Sequence, residues 1–347
     1  MKLQEFQTYL KNNRIDLALF VHPDPTITYF TQVKPSYAYL LISPKTAELY
    51  LTSLDHFPTI KSITVKRLTK KWKAQTAKRK VKTLAVHKEC ISLASSERLK
   101  KLWPNAKLVD VTEPLARLRQ HKTPEELRNI ALACHVTSRA FTALIQELPR
   151  KTLNTEQDVA LFLEKYIRQH GGEVAFPTIA AVGKNAATPH HITSIQKLHR
   201  GFLVVDFGAQ YKNYCADMTR VIFLGTPTAQ EKELYTLLLQ AQENALLAVK
   251  KGKTFLSLDT ISRKTLGKYE KYFTHSLGHG IGLEVHEAPL FSDNTQTVQP
   301  NVVFTIEPGI YLPQKLGLRI EDTLYFDWKK TKILTTASKE LKIIPWK

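Results

Sequence analysis

Asp206 and Asp217 stand eleven residues apart in VVDFGAQYKNYCADMTRVIF, on either side of a polar turn at residues 210–213. A symmetric hairpin centred between Tyr211 and Lys212 sets the two carboxylates opposite each other, about 5 Å apart at Cβ, where like charges destabilise the pair. Val204, Val205 and Phe207 flank the first acid, and Ala216 and Met218 the second, so water screens them poorly. The pattern recurs in VVFTIEPGIYLPQKLGLRIEDTLYF, where Glu307 and Glu321 lie in apolar arms with Gln314 midway between them. One such pair is commonly a solvated hairpin face. Four acids in hydrophobic strands must either take up protons or gather around a cation, and a divalent metal is the simplest cation that serves them.

A nitrogen ligand is available in HSLGHGIGLEVHEAP, where His275, His279 and His286 alternate with Gly278, Gly280 and Gly282. Glycine permits close backbone approach, which suits a tightly packed site. A lone histidine is more often a satisfied core residue, but three within twelve positions of a glycine-rich loop point to function. The zinc-helix spacing HExxH does not occur.

The elements that must hold these residues fall into two groups. Short apolar runs at 16–21, 37–43, 47–52, 81–87 and 108–111 read as strands, with helical spacing at 3–10 and 93–102. Such alternation predicts an α/β domain over residues 1–115. From Lys122 the texture changes. Thr123, Pro124 and Glu126 spell a capped helix start, and the stripe Ile130, Ala133, Val136, Ala140 and Leu144 continues it. A second long helix has Thr228 as its cap, Glu231 as the return partner and Gly252 as its stop. Runs at 176–182, 202–209, 214–224, 302–306 and 318–326 read as strands. Residues 116–347 are therefore expected to form an α+β domain that carries all of the chemistry.

Composition bounds the class. With 347 residues, 43% of them hydrophobic, the chain has material for two cores. No apolar run reaches the roughly 18 residues that span a bilayer. Cys90, Cys134 and Cys215 are odd in number and widely spaced, which points to a reducing compartment, and a cytoplasmic protein is expected. The net charge is +19, and ten Lys or Arg fall within residues 61–82. Without a nucleic-acid-binding motif such a run reads as a solvated face, so neither nucleic acid nor membrane is an expected partner.

Taken in order, Asp206, Asp217, His279 in GHGIG, Glu307 in EPG and Glu321 in RIED resemble the pita-bread metallopeptidases, a family that includes methionine aminopeptidase, aminopeptidase P and Xaa-Pro dipeptidase (prolidase). The resemblance covers roughly residues 122–345. It implies two divalent metal ions (Mn, Co or Fe, with Zn open) bridged by Asp217 and Glu321. Asp206 completes one metal site, and His279 and Glu307 complete the other. It further implies that Glu307 shuttles a proton and that His190 and His286 bind substrate and stabilise developing charge. Pro189 points to His190 rather than the adjacent His191. Arg319 matches an arginine that either receives a substrate carboxylate or partners one of the acids. Asn213 stands where the family often has glycine, and asparagine tolerates the left-handed conformation.

Residues 1–112 resemble the creatinase-like N-terminal domain of prolidases and aminopeptidase P, which methionine aminopeptidases generally lack. The implied function is metal-dependent hydrolysis of the Xaa-Pro bond in dipeptides or short peptides by a homodimer. The alternatives are an aminopeptidase P acting on longer Xaa-Pro-Yaa peptides and a non-catalytic pita-bread module that binds through its basic N-terminal domain.

Overall fold

Strands buried on both faces read as unbroken apolar runs, whereas strands with one wet face alternate. Both kinds occur in this chain. The computed structural model describes residues 2–291 and 296–346 and divides into two units, Met1–Arg119 and Gln120–Lys347.

The first unit runs α1 (Lys2–Asn12), β1 (Leu17–Val21), α2 (Pro25–Thr31), β2 (Ala38–Ile42), β3 (Ala47–Leu51), β4 (Thr64–Arg67), α3 (Trp72–Ala77), β5 (Thr83–Val86), α4 (Leu93–Leu102) and β6 (Lys107–Asp110), closing with α5 (Thr112–Gln120). Its six strands order as β4-β3-β2-β1-β5-β6. β1 pairs antiparallel with β2 and parallel with β5, so the sheet is mixed. Leu17, Leu19, Leu41, Leu84, Val86, Leu99, Trp72 and Trp103 fill one core. The basic stretch 61–82, read as a solvated face, holds two further elements, β4 and α3. Trp72 and Thr76, one helical turn apart, are buried and anchor α3, while most of the cations around them are exposed.

The second unit opens with α6 (Pro124–Glu147). Thr123 Oγ1 accepts from the Glu126 amide at 3.3 Å and Glu126 Oε2 from the Thr123 amide at 2.8 Å. There follow α7 (Glu156–Gln169), β7 (Glu173–Val174), β8 (Ile179–Val182), β9 (Gly201–Phe207), β10 (Ala209–Tyr211), β11 (Tyr214–Cys215) and β12 (Met218–Leu224). Next come α8 (Ala229–Leu247), α9 (Phe255–Leu266), β13 (His279–Gly280), β14 (Glu287–Leu290), β15 (Val303–Ile306), β16 (Gly309–Leu312), β17 (Leu316–Arg319), β18 (Asp322–Phe326), β19 (Thr331–Ile333) and β20 (Lys342–Ile344). α7 went unpredicted because Asp158 takes the return position of its capping box, where Glu or Gln is the usual signal. α8 ends before Gly252, which lies in a turn beyond it at φ +79°.

β9 and β12 are the centre of the unit and are buried throughout. Leu203, Val205 and Phe207 join a core with α6 and α7. Phe202 and Val204, on the alternate positions, join a second core with α8, α9 and β15. By the same alternation Asp206 lies on the second face.

The hairpin differs from its expected register. Asp206 pairs with Thr219, and Tyr211 with Tyr214, so the turn is centred on Lys212 and Asn213 rather than between Tyr211 and Lys212. Both turn residues have positive φ, +45° and +71°, as a two-residue turn compatible with strand twist requires. Asp217 is therefore diagonal to Asp206, not opposite it. The predicted strands 202–209 and 214–224 also break, at Gly208 and at Ala216–Asp217. A Cβ on Gly208 would lie 1.8 Å from the Ala216 carbonyl oxygen, so only glycine admits this approach.

The second pair of acids follows its expected register. Ile306 pairs with Asp322 and Gly309 with Arg319, which puts Glu307 across from Glu321.

Candidate metal centre

A cavity of about 620 Å³ in the second unit is lined by Asp206, Asp217, His279, Glu307 and Glu321, with His190, His286 and Arg319 among the other lining residues. All eight candidate residues thus meet at one place, although they come from five separate stretches of chain.

Each acid is held by its backbone's position and by few other groups. The Thr323 hydroxyl donates to the Asp217 carbonyl at 2.7 Å. Thr219, opposite Asp206 in the sheet, donates its hydroxyl to Glu321 Oε2 at 2.8 Å. Thr305 donates to Glu307 Oε1 at 3.1 Å and accepts from the His279 amide at 3.1 Å, so one side chain sets two of the candidates. His279 Nδ1 lies 3.1 Å from its neighbour's carbonyl, Gly280 O. This directs Nε2 toward the acids, 3.2 Å from Glu307 Oε1 and 3.6 Å from Asp217 Oδ2.

The charges do not balance. Four carboxylates face one guanidinium and imidazoles that are positive only when protonated. Burial, then Glu321 and Asp206, push the Asp217 carboxyl well above its ordinary range. Burial, then Glu307 and Asp206, do the same to Glu321. Burial also acts upward on Glu307, but the hydrogen bond and charge of His279 outweigh it and bring that carboxyl to about 2.

The donor set fits divalent cations. Asp206 Oδ1, Asp217 Oδ1 and Glu321 Oε1 are buried and have no hydrogen-bond partner among the described residues. Ligand atoms of Asp217, His279 and Glu321 all lie within 4.8 Å of one another. A buried, partnerless carboxylate oxygen is costly, and three in one cavity are explained by positive charge between them.

Arg319 is engaged on every nitrogen. Nη2 donates to Asp206 Oδ2 at 2.5 Å, Nε to the Thr219 hydroxyl at 2.9 Å, and Nη1 to the Tyr311 hydroxyl at 2.7 Å and to Pro189 O at 3.3 Å. His275, the third imidazole of the glycine-rich loop, bonds Tyr311 OH through Nε2 at 2.8 Å and Ser276 O through Nδ1 at 2.9 Å. It supports the Arg319 cluster and offers no free nitrogen to the acids.

The adjacent histidines separate. His191 Nε2 lies 3.0 Å from the fully buried Glu156 Oε2, whereas His190 is exposed and lines the cavity. His286 is likewise exposed, its ring centroid 4.3 Å from that of His279.

Sequence reasoning missed Glu156, which also accepts from Val182 N, Asn185 and Ser194 and so gathers the loop bearing His190. It missed Arg220, buried against Asp322 at 2.7 Å and donating to the Glu321 carbonyl. The legible signals were a charged residue inside a capping region and an arginine in a largely apolar strand.

The profile of metallopeptidase family M24 matches residues 128–327, and that of the Creatinase/Prolidase N-terminal domain matches residues 2–121. An Xaa-Pro dipeptidase of Pyrococcus horikoshii is 35% identical over 348 residues, covering 98% of each chain. The crystal structure of a prolidase from the same organism superposes with a TM-score of 0.90 at 33% identity, over 98% of this chain and 99% of that one. An X-Pro aminopeptidase from Thermotoga maritima gives 0.86 at 34% identity, over 96% and 100%.

Proposed function

This chain belongs to metallopeptidase family M24, and we propose that it hydrolyses the Xaa-Pro bond of dipeptides with two divalent ions held by Asp206, Asp217, His279, Glu307 and Glu321. The observation that carries the reading is the convergence of three buried carboxylate oxygens without protein partners on one cavity. Asp217 and Glu321 would serve both ions, Asp206 one of them, and His279 with Glu307 the other. Oxygen-rich ligation with a single imidazole suits Mn²⁺, Co²⁺ or Fe²⁺, and admits Zn²⁺. When bound, such ions make water nucleophilic near neutral pH and polarise a carbonyl oxygen.

The protein's own groups do the rest. Glu307 takes the proton of the attacking water and returns it to the leaving imide nitrogen, a role for which its nearness to His279 keeps it ionised. His190 and His286, exposed on the cavity wall, donate to the carbonyl oxygen as it gains charge. Arg319 holds Asp206 and the Pro189 carbonyl, and through the latter the residue next to His190. A proline imide has no N–H, so a site that relies on activated water rather than on that donor suits the substrate. A homodimer belongs to the same reading.

A second reading, an aminopeptidase acting on longer peptides before proline, is supported by the likeness to the Thermotoga enzyme. Chelator-stripped protein reloaded with each of the four metals and assayed on Xaa-Pro and Xaa-Pro-Yaa peptides separates the two. Activity on the dipeptides is expected. Cleavage of the tripeptides alone replaces the first reading with the second, and no cleavage with any metal removes both.

A further inference from the structure

A second cluster of reactive side chains lies in the first unit, outside everything described above. Asp24, His87 and Cys90 bring ligand-type atoms within 4.8 Å of one another. Asp24 caps α2, its Oδ1 accepting from the Thr26 amide at 2.8 Å, and the same oxygen lies 3.1 Å from His87 Nδ1. The other ring nitrogen, Nε2, lies 3.7 Å from Cys90 Sγ. A tight turn after β5, in which the Cys90 and Ile91 amides both donate to the His87 carbonyl, brings the thiol to this side of the ring. The imidazole therefore bridges carboxylate and sulfur in line.

Burial differs along the relay. Asp24 and His87 are buried at 5% and 7% exposure, whereas Cys90 is half-buried and so the most exposed member of the three. Cys134 and Cys215 are both buried. Asp24 and, at 3.4 Å, the Thr26 hydroxyl share His87 Nδ1, and Cys90 faces Nε2. Burial alone would lower this imidazole, but the hydrogen bonds to Asp24 and Cys90 outweigh it and raise it to about 10, so the ring carries its second proton at pH 7. An imidazolium held by a carboxylate and aimed at a sulfur is placed to return a proton to a leaving thiolate once that sulfur attacks an electrophile.

We infer that Cys90, served by His87 and Asp24, is a modification site that forms mixed disulfides with low-molecular-weight disulfides. In that exchange the Cys90 sulfur attacks one sulfur of the small disulfide and its S–S bond breaks. The departing thiolate takes the proton lost by Cys90, delivered through His87 Nε2. One small thiol is released, Cys90 is oxidised to the mixed disulfide, and no other oxidant is needed.

The test uses the whole native protein and dithiodipyridine as the probe. One thiol per chain is expected to react at pH 7, mapped to Cys90 by mass spectrometry. Its rate is expected to be about ten-fold or more above that of an unstructured cysteine peptide, which is only a few per cent thiolate at that pH. His87→Gln is expected to bring the rate down about ten-fold, and Cys90→Ser to abolish the reaction. A wild-type rate at or below the peptide's overturns the inference whether or not the variant folds. So does an unchanged rate in His87→Gln, or a stoichiometric metal ion that shields the thiol and is lost in Cys90→Ser.

Discussion

Asp217 carries a charge that burial, Glu321 and Asp206 all oppose. Under the proposed function a cation offsets that cost. Asp217→Ala is expected to lower peptidase activity by about a thousand-fold or more and to leave fewer than two metal ions per chain by elemental analysis. Asp217→Asn separates charge from ligation. In chelator-treated protein it removes a repelled carboxylate, so stability is expected to rise by about 1 kcal/mol, or about 2–4 °C in Tm for a domain of this size. With metal present the same variant is expected to be the less stable protein, and calorimetry in the two buffers reads the reversal. An Asn variant that is destabilised in both is incompatible with a site built for positive charge.

Elements act by holding these residues at a set distance. The chain entering β13 approaches β15 so closely that a Cβ on Gly278 would lie 2.1 Å from the Thr305 carbonyl oxygen. Gly278→Ala is expected to push His279 off its position against Thr305 and weaken metal binding by about 10–100-fold, measured by competition with a chromogenic chelator. Glu156, at the start of α7, does the same work for the loop of His190. Burial acts to raise its carboxyl, but hydrogen bonds from Val182, Asn185, His191 and Ser194 bring it below its ordinary 4.5. A depressed carboxylate contributes stability that is complete above 4.5 and is lost as pH falls through the lower folded value. Denaturation midpoints taken from pH 7 downward are therefore expected to fall more steeply in the wild type than in Glu156→Gln. At pH 7 that variant is expected to lose about 1–3 kcal/mol and about ten-fold in kcat, since His190 is no longer fixed. Equal acid slopes would remove Glu156 from this role.

For the whole molecule, the metal ions link function to the stability of one unit. A ligand present at about a hundred times its Kd stabilises the folded state by about 2.7 kcal/mol. Hydrogen exchange with and without chelator is expected to show the difference in residues 120–347, centred on β9, β12, β15 and β18, with the strands of the first unit unchanged. Among the described residues no helix is long and apolar enough to cross a membrane. The sequence by itself determined the candidate ligand types, their order and the opposition of Glu307 to Glu321. Those depend on local pattern: apolar arms, a loop centred on Gln314 and glycine beside histidine. Tertiary structure decided what local pattern cannot reach. Lys212 and Asn213 took the turn at positive φ and moved Asp217 from opposite Asp206 to diagonal. Arg319, Arg220 and Glu156 found partners in other elements, and Glu156 captured His191 while His190 faced the cavity. Strand period and cap chemistry act over a few residues. The choice of partner for a buried charge is made between segments 35 to 113 residues apart, where desolvation leaves it no alternative.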